Sequence, residues 1–203
     1  MQNESERKAM MQQLVDFVLE LDKLKAVERK VRPTGLARYE NTAEHSWQLT
    51  LFALSLASWI APAIDVNRVI RMLLVHDVGE IDIGDTMVFV EGGWEQRKAD
   101  ELQAVKRIFS LLPEGRGNEL VSLWQEFELG ATAEARFAQA VDRAIPVLLN
   151  LQNGGGSWLE HGITYDRVVK RIEPQINAGC PELWAYLAPR LSEARTKGFF
   201  PPD

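Results

Sequence analysis

Apolar residues recur along this chain at spacings of three and four, the period of helices with one buried face. Met10, Leu14, Phe17, Val18 and Leu21 outline a first amphipathic helix ending near Lys25. The polar connector ERKVRPTGLARYEN follows, with Pro33 and Gly35 marking turns. Asn41 or Thr42 caps a second helix, with Glu44 in its first turn, that runs to Pro62. Asp65 caps a third, VNRVIRMLLVHD, in which Val66, Val69, Ile70, Leu73 and Leu74 form a wide apolar face. Further helices are predicted over 94–112, which Pro113 ends, 118–127, 132–151 with Thr132 as cap, 165–177 and 181–197. Gly79, Gly84 and the Asn153-Gly-Gly-Gly run interrupt the pattern. No stretch alternates with period two between hairpin turns, so the fold class is all-α. With no internal repeat, low-complexity segment or long linker, residues 1–203 are expected to form a single compact domain.

Charge and cysteine content narrow the partners. A formal charge of −6 argues against a sequence-independent grip on a nucleic-acid polymer, although one or two local cations suffice for a small phosphate ester. The single cysteine, Cys180, excludes an intramolecular disulfide, and the chain reads as reduced and cytoplasmic. MQNESERKAMMQQL lacks an apolar signal core, and the apolar run over 49–64 falls short of the roughly 20 residues of a membrane span. A soluble protein is expected.

Against this apolar background a few polar residues stand out. His45 shares a helix face with Leu49, Phe52 and Leu56 and therefore points inward. Its bland alternative is a core histidine bonded to a carbonyl. Asp142 shares a face with Ala138, Ile145 and Leu149, and a buried carboxylate needs a cation nearby. An arginine such as Arg143 or Arg71 would serve, and so would a metal. Pro146 cannot bond the carbonyl of Asp142, so a kink is expected close to the acid. In LLVHDVGEIDIGDT, His76 and Asp77 point about 100° apart if helical, and share one ion only where the helix ends, which Gly79 is expected to ease. His45, His76, Asp77 and Asp142 together make a two-nitrogen, two-oxygen set suited to one divalent ion: manganese, cobalt, iron, nickel or zinc.

That order of residues, with its flanking text, resembles the H…HD…D signature of HD-domain metal-dependent phosphohydrolases. LKAVER, ENTAEHSW, HDVGEIDIGD, LLPEG, LWQEFE and ARFAQAVDR are similar, in order, to the 5′-deoxynucleotidase-like branch, over about residues 14–199. The resemblance implies a helical bundle, commonly a homodimer, in which His45, His76, Asp77 and Asp142 hold the metal. It further implies that Glu80 handles the attacking water and its proton, that Asp85 lies near the sugar and leaving oxygen, and that Arg29 holds phosphate. These roles suit the chemistry: a bound metal activates water for attack on phosphorus, with Asp77 among the catalytic groups, and an arginine fork matches phosphate oxygens. Taken without the resemblance, Glu80 reads as solvated, Asp85 as a cap and Arg29 as part of a charged connector. Asp82 keeps the bland reading, solvated or capping.

The implied reaction is removal of the 5′-phosphate from ribo- or deoxyribonucleoside monophosphates by metal-activated water. The chain departs from the pattern at Lys30, where the deoxynucleotidases carry an aromatic residue directly after the phosphate arginine, and its connector to His45 is one residue longer; a deoxyribose preference is therefore not implied. Leu36, Arg38 and Glu40 share this connector and can reshape the pocket. His161 is the only other histidine, which favours one metal, and it reads as structural or interfacial. Two alternatives remain: hydrolysis of a nucleoside triphosphate or pyrophosphate on the same fold, and a non-catalytic metal- or nucleotide-sensing module.

Overall fold

The computed structural model describes residues 3–61, 63–113 and 115–202. Helix α1 (Glu4–Asp22) ends in a 3-10 turn, Lys23–Ala26, and is followed by α2 (Thr42–Ile60) and α3 (Val66–Val75). A short α4 (Glu80–Ile83) precedes α5 (Trp94–Phe109), α6 (Arg116–Leu129) and the long α7 (Ala133–Gln152). The short α8 (Gly156–Glu160), α9 (Tyr165–Gly179) and α10 (Pro181–Thr196) complete the chain. Among the described residues the only β pairing is an isolated bridge between Glu28 and Asn41, so the all-α reading holds. No described helix is long and apolar enough to cross a membrane.

Side-chain caps set several boundaries. Asn41 rather than Thr42 caps α2, its side chain accepting from Glu44 N while the Glu44 carboxylate accepts from Asn41 N. Asp65 accepts from Asn67 N and Arg68 N at the start of α3, and Thr132 Oγ1 accepts from Ala135 N at the start of α7. The expected stop at Pro62 and the Glu114 of LLPEG lie outside the described residues. Helix α5 ends at Phe109, before the expected 112, because Leu111 and Leu112 turn through bonds to the carbonyls of Ile108 and Phe109.

Helix α7 is the spine of the core. It packs on α2, α3, α6, α9 and α10, and Phe137, Ala138, Ala140, Val141 and Ala144 along it are fully buried. Its small residues let α9 approach closely: a Cβ on Gly179 would lie 2.0 Å from Arg136 O. Helix α7 runs on through Pro146 to Gln152. Three expectations fail. Val18, placed on the apolar face of α1, is 62% exposed, and no residue of α1 is fully buried. Leu74, assigned to the inner face of α3, is 53% exposed, because Val69, Met72 and Leu73 fill the contact with α2 and α7. Gly79 does not loosen the helix end: its backbone is ordinary helical, φ −60° and ψ −23°, and a Cβ there would crowd Glu101 O at 3.1 Å and the Val105 side chain at 3.2 Å.

Candidate metal centre

Helix α2 brings His45, α7 brings Asp142, and the end of α3 brings His76 and Asp77 to one point. Helix α3 closes at Val75, so the His-Asp pair sits just past the helical ladder and both side chains turn the same way. One ligand atom each from His45, His76 and Asp142, all buried, lie within 4.8 Å of one another. Asp77 reaches the same cluster through Oδ2, 2.8 Å from His76 Nε2 and 4.0 Å from His45 Nε2.

The tautomers of the ring nitrogens test whether a cation fits. His76 Nδ1 is 2.8 Å from Leu73 O, an acceptor only, so Nδ1 carries a proton. Nε2 is then a buried lone pair with no hydrogen-bond partner among the described residues, 2.8 Å from Asp77 Oδ2 and 3.7 Å from Asp142 Oδ1. A lone pair facing two carboxylates requires a positive charge between them, either a proton or a metal. Burial lowers the His76 pKa, but the charges of Asp77 and Asp142 outweigh it and raise it to about 10. The donor set, two imidazoles and two carboxylates, fits a borderline divalent cation.

The carboxylates are held differently. Burial disfavours charge on Asp77, yet His76 and Arg29 pull its pKa down to about 2. Burial likewise opposes Asp142, but Arg143, His45 and His76 keep it well below the usual carboxylate range. Arg143 Nη1 lies 3.1 Å from Asp142 Oδ2, so the arginine partner weighed from the sequence is present beside the histidines, whereas Arg71 pairs with Glu119 instead. Glu80, at the start of α4, is pushed well above the usual range by burial and by Asp77. Asp85 is raised by burial, against the pull of Arg29.

Arg29 lies among these acids. Its Nη1 is 2.9 Å from Asp77 Oδ2 and 3.8 Å from Asp85 Oδ1, and despite burial their charges hold its pKa above the ordinary arginine value. Thus all seven site residues singled out from the sequence, with Asp77 in two roles, converge here. Asp82 and His161 do not join them: Asp82 pairs with Arg107 on the surface, and His161 is exposed at the end of α8.

Three supporting contacts are not foreseen from the sequence, which offers Thr42 only as a possible cap and Glu40 only as a connector residue able to reshape the pocket. Thr42 Oγ1 donates to Glu80 Oε2 at 2.8 Å in a fully buried contact. Trp124 Nε1 donates to His76 O at 2.9 Å, tying α6 to the ligand pair. Glu40 is buried with one oxygen 3.3 Å from His45 Nδ1 and 3.4 Å from Arg29 Nε. A polar residue on a cap or connector carries no periodic signal of burial, and Trp124 within α6 reads simply as a helix residue, so these contacts are not visible along the chain.

The cluster floors an open cavity of about 1000 Å³, solvent at its mouth included. Arg29, Asp77, Glu80, Asp85 and Asp142 line one part; Met87, Phe89, Trp94, Trp158 and Ile172 give another an apolar wall. The 84–93 loop that supplies Asp85 and Met87 is held through its carbonyls, Gly84 by Arg97, Val88 by Arg171 and Phe89 by Arg167.

Comparisons with known proteins agree with this geometry. A family model described as an HD domain matches residues 21–184. Human 5′-deoxynucleotidase HDDC2 is 30% identical over 140 residues, covering 66% of this chain and 65% of that protein; its Xenopus laevis counterpart is 28% identical over 144 residues, covering 68% of each chain. The chain thus spans just under two thirds of the length of the human relative. A predicted metal-dependent phosphohydrolase from Magnetospirillum magnetotacticum MS-1 superposes with a TM-score of 0.87 and 41% identity, over 96% of this chain and all of that one. A Pyrococcus horikoshii OT3 protein shares the fold, with a TM-score of 0.61 and 23% identity over 90% of this chain and 99% of that one.

Proposed function

The chain belongs to the HD-domain family, and from that premise we propose that it is a metal-dependent phosphohydrolase that removes the 5′-phosphate from nucleoside monophosphates. The observation that carries the reading is the convergence of His45, His76, Asp77 and Asp142 beside a charged arginine on one cavity wall. His45, His76, Asp77 and Asp142 would hold one divalent ion; His161, the remaining histidine, is exposed and does not suggest a second site. Bound there, a divalent cation supplies Lewis acidity and lowers the pKa of water toward neutrality.

Arg29 binds the phosphate, its charge secured by the acids around it and its planar fork matched to two phosphoryl oxygens. Glu80 orients the attacking water and takes its proton through Oε1, because Thr42 occupies Oε2. Burial and the charge of Asp77 raise the Glu80 pKa above the ordinary carboxylate value, which favours its taking a proton. Asp85 Oδ1 stands 3.8 Å from Arg29 Nη1 and is placed to act beside the leaving 5′-oxygen. Trp94, Phe89 and Trp158 offer flat apolar surface to the base. Lys30 is exposed, with Nζ 5.8 Å from the Tyr39 ring centroid, and places no aromatic face against the sugar; both ribo- and deoxyribonucleotides are proposed substrates.

We further propose that the whole chain acts as one domain in the cytoplasm and pairs as a homodimer. The exposed Trp47, Leu51, Leu54 and Trp59 along α2 support the pairing. Phosphate release from a panel of ribo- and deoxynucleoside monophosphates, with cobalt or manganese added, tests the activity. Orthophosphate from monophosphates is the expected product. Pyrophosphate released from triphosphates instead would select the alternative hydrolase, and nucleotide binding without turnover would select the sensor.

A further inference from the structure

Five buried side-chain atoms lack a hydrogen-bond partner among the described residues, and three of them, Arg29 Nε, Glu40 Oε2 and His45 Nδ1, meet at one place. Glu40 Oε2 lies 3.3 Å from His45 Nδ1 and 3.4 Å from Arg29 Nε, and its side chain is 2% exposed. Glu40 does not line the cavity. A carboxylate so deep is tolerated only where positive or donating groups face it, and here both facing groups belong to the candidate site.

The backbone fixes this arrangement. Arg29 N donates to Glu40 O at 2.8 Å, Glu40 N to Val31 O at 2.8 Å and Thr42 N to Val27 O at 3.0 Å, so the 27–31 and 40–42 segments form a short paired clamp. Within it the Arg29 and Glu40 side chains turn to the same side, and α2 starts at Thr42 with His45 one turn away.

We propose that Glu40 is a positioning residue which locks the Nδ1–H tautomer of His45, aiming Nε2 at the metal, and simultaneously sets the Arg29 guanidinium against the phosphate. A carboxylate behind a ligand histidine fixes ring orientation and raises its basicity, and the same oxygen reaching Arg29 Nε makes ligand and phosphate clamp one unit. The role rests on the metal-centre reading above.

The test is the affinity of the purified full chain for cobalt(II) alone, followed by the visible absorption of the bound ion, in the wild type and in Glu40→Gln and Glu40→Ala. Glu40→Gln keeps the shape and removes the charge. The expected result is a cobalt dissociation constant raised by about 10- to 100-fold in Glu40→Gln, with an altered visible spectrum and, in turnover, a raised KM from the displaced Arg29. Ile176→Val, in the core of α9 away from the cavity, lowers the melting temperature without changing cobalt affinity and so separates positioning from general stability. Glu40→Gln with wild-type cobalt affinity, spectrum and KM overturns the role of Glu40 alone. A wild-type protein that takes up no cobalt overturns the metal-centre reading itself, and the role with it.

Discussion

Thr42→Val isolates the contact between α2 and the residue assigned to the water. Valine matches threonine in shape, and position 42 is fully buried, so the packing is retained while one donor is lost. The Thr42 hydroxyl has one proton and two acceptors in reach, Glu80 Oε2 at 2.8 Å and Val27 O at 3.4 Å; the shorter, charged acceptor takes it. A hydrogen bond to a charged group contributes about 1.5–3 kcal/mol, and only the part that favours the ionised over the neutral carboxyl shifts its pKa. If half to all of the lower figure is differential, the shift is roughly 0.5–1 unit, since one unit corresponds to about 1.36 kcal/mol. The sign follows from the bond: it stabilises the carboxylate, so its loss moves the Glu80 pKa further up. For a base that must be ionised, the acid limb of kcat/KM against pH therefore shifts to higher pH by that amount. Activity lost near neutrality returns as the pH is raised. The assay is phosphate release from a deoxynucleoside monophosphate across the pH range at saturating cobalt, with Thr42→Ser as the variant that restores the limb. An acid limb in the wild-type position for Thr42→Val would refute the assignment of Glu80 as the base that Thr42 tunes.

The charges of Asp77 and Asp142 raise the His76 pKa to about 10, so below that pH binding of a cation must displace the imidazole proton. Calorimetric titration with cobalt in buffers of different ionisation enthalpy is expected to show proton release near pH 8 and weaker affinity as the pH falls. Trp124→Phe deletes the buried bond to His76 O and leaves that carbonyl unpaired, costing about 1–3 kcal/mol. At about 2–4 °C per kcal/mol for a chain of this size, thermal melting is expected to fall by roughly 2–12 °C. Gly179→Ala forces a methyl toward Arg136 O and Ala140, and urea unfolding is expected to show a loss of about 3 kcal/mol or more as α9 is pushed from α7. An unchanged unfolding midpoint in either variant contradicts the packing argument.

Much of this molecule was legible along the chain. Helical periodicity and capping residues such as Asn41, Asp65 and Thr132 act within a few residues of themselves, so the main helices and the all-α class followed from local chemistry. His45 and Asp142 also declared themselves, each a polar group on an apolar face. What escaped was set by neighbours distant in sequence. Leu74 faces outward because α2 and α7 are filled by other residues of α3, and the close neighbour of Gly79 is α5 rather than its own turn. The short α4 and α8 are too brief to show a period.

The sequence by itself determined the long helices, most of their inward positions and which polar residues were out of place on them, because these depend on spacing and on the cost of burying a polar group. The family resemblance named the roles. Only the tertiary structure decided how the groups act together: that His76 presents a lone pair because Leu73 O claims its other nitrogen, that Thr42 leaves Glu80 one free oxygen, and that Glu40 stands behind both His45 and Arg29. Tautomer, pKa and orientation are properties of distances between segments, and no spacing along the chain contains them.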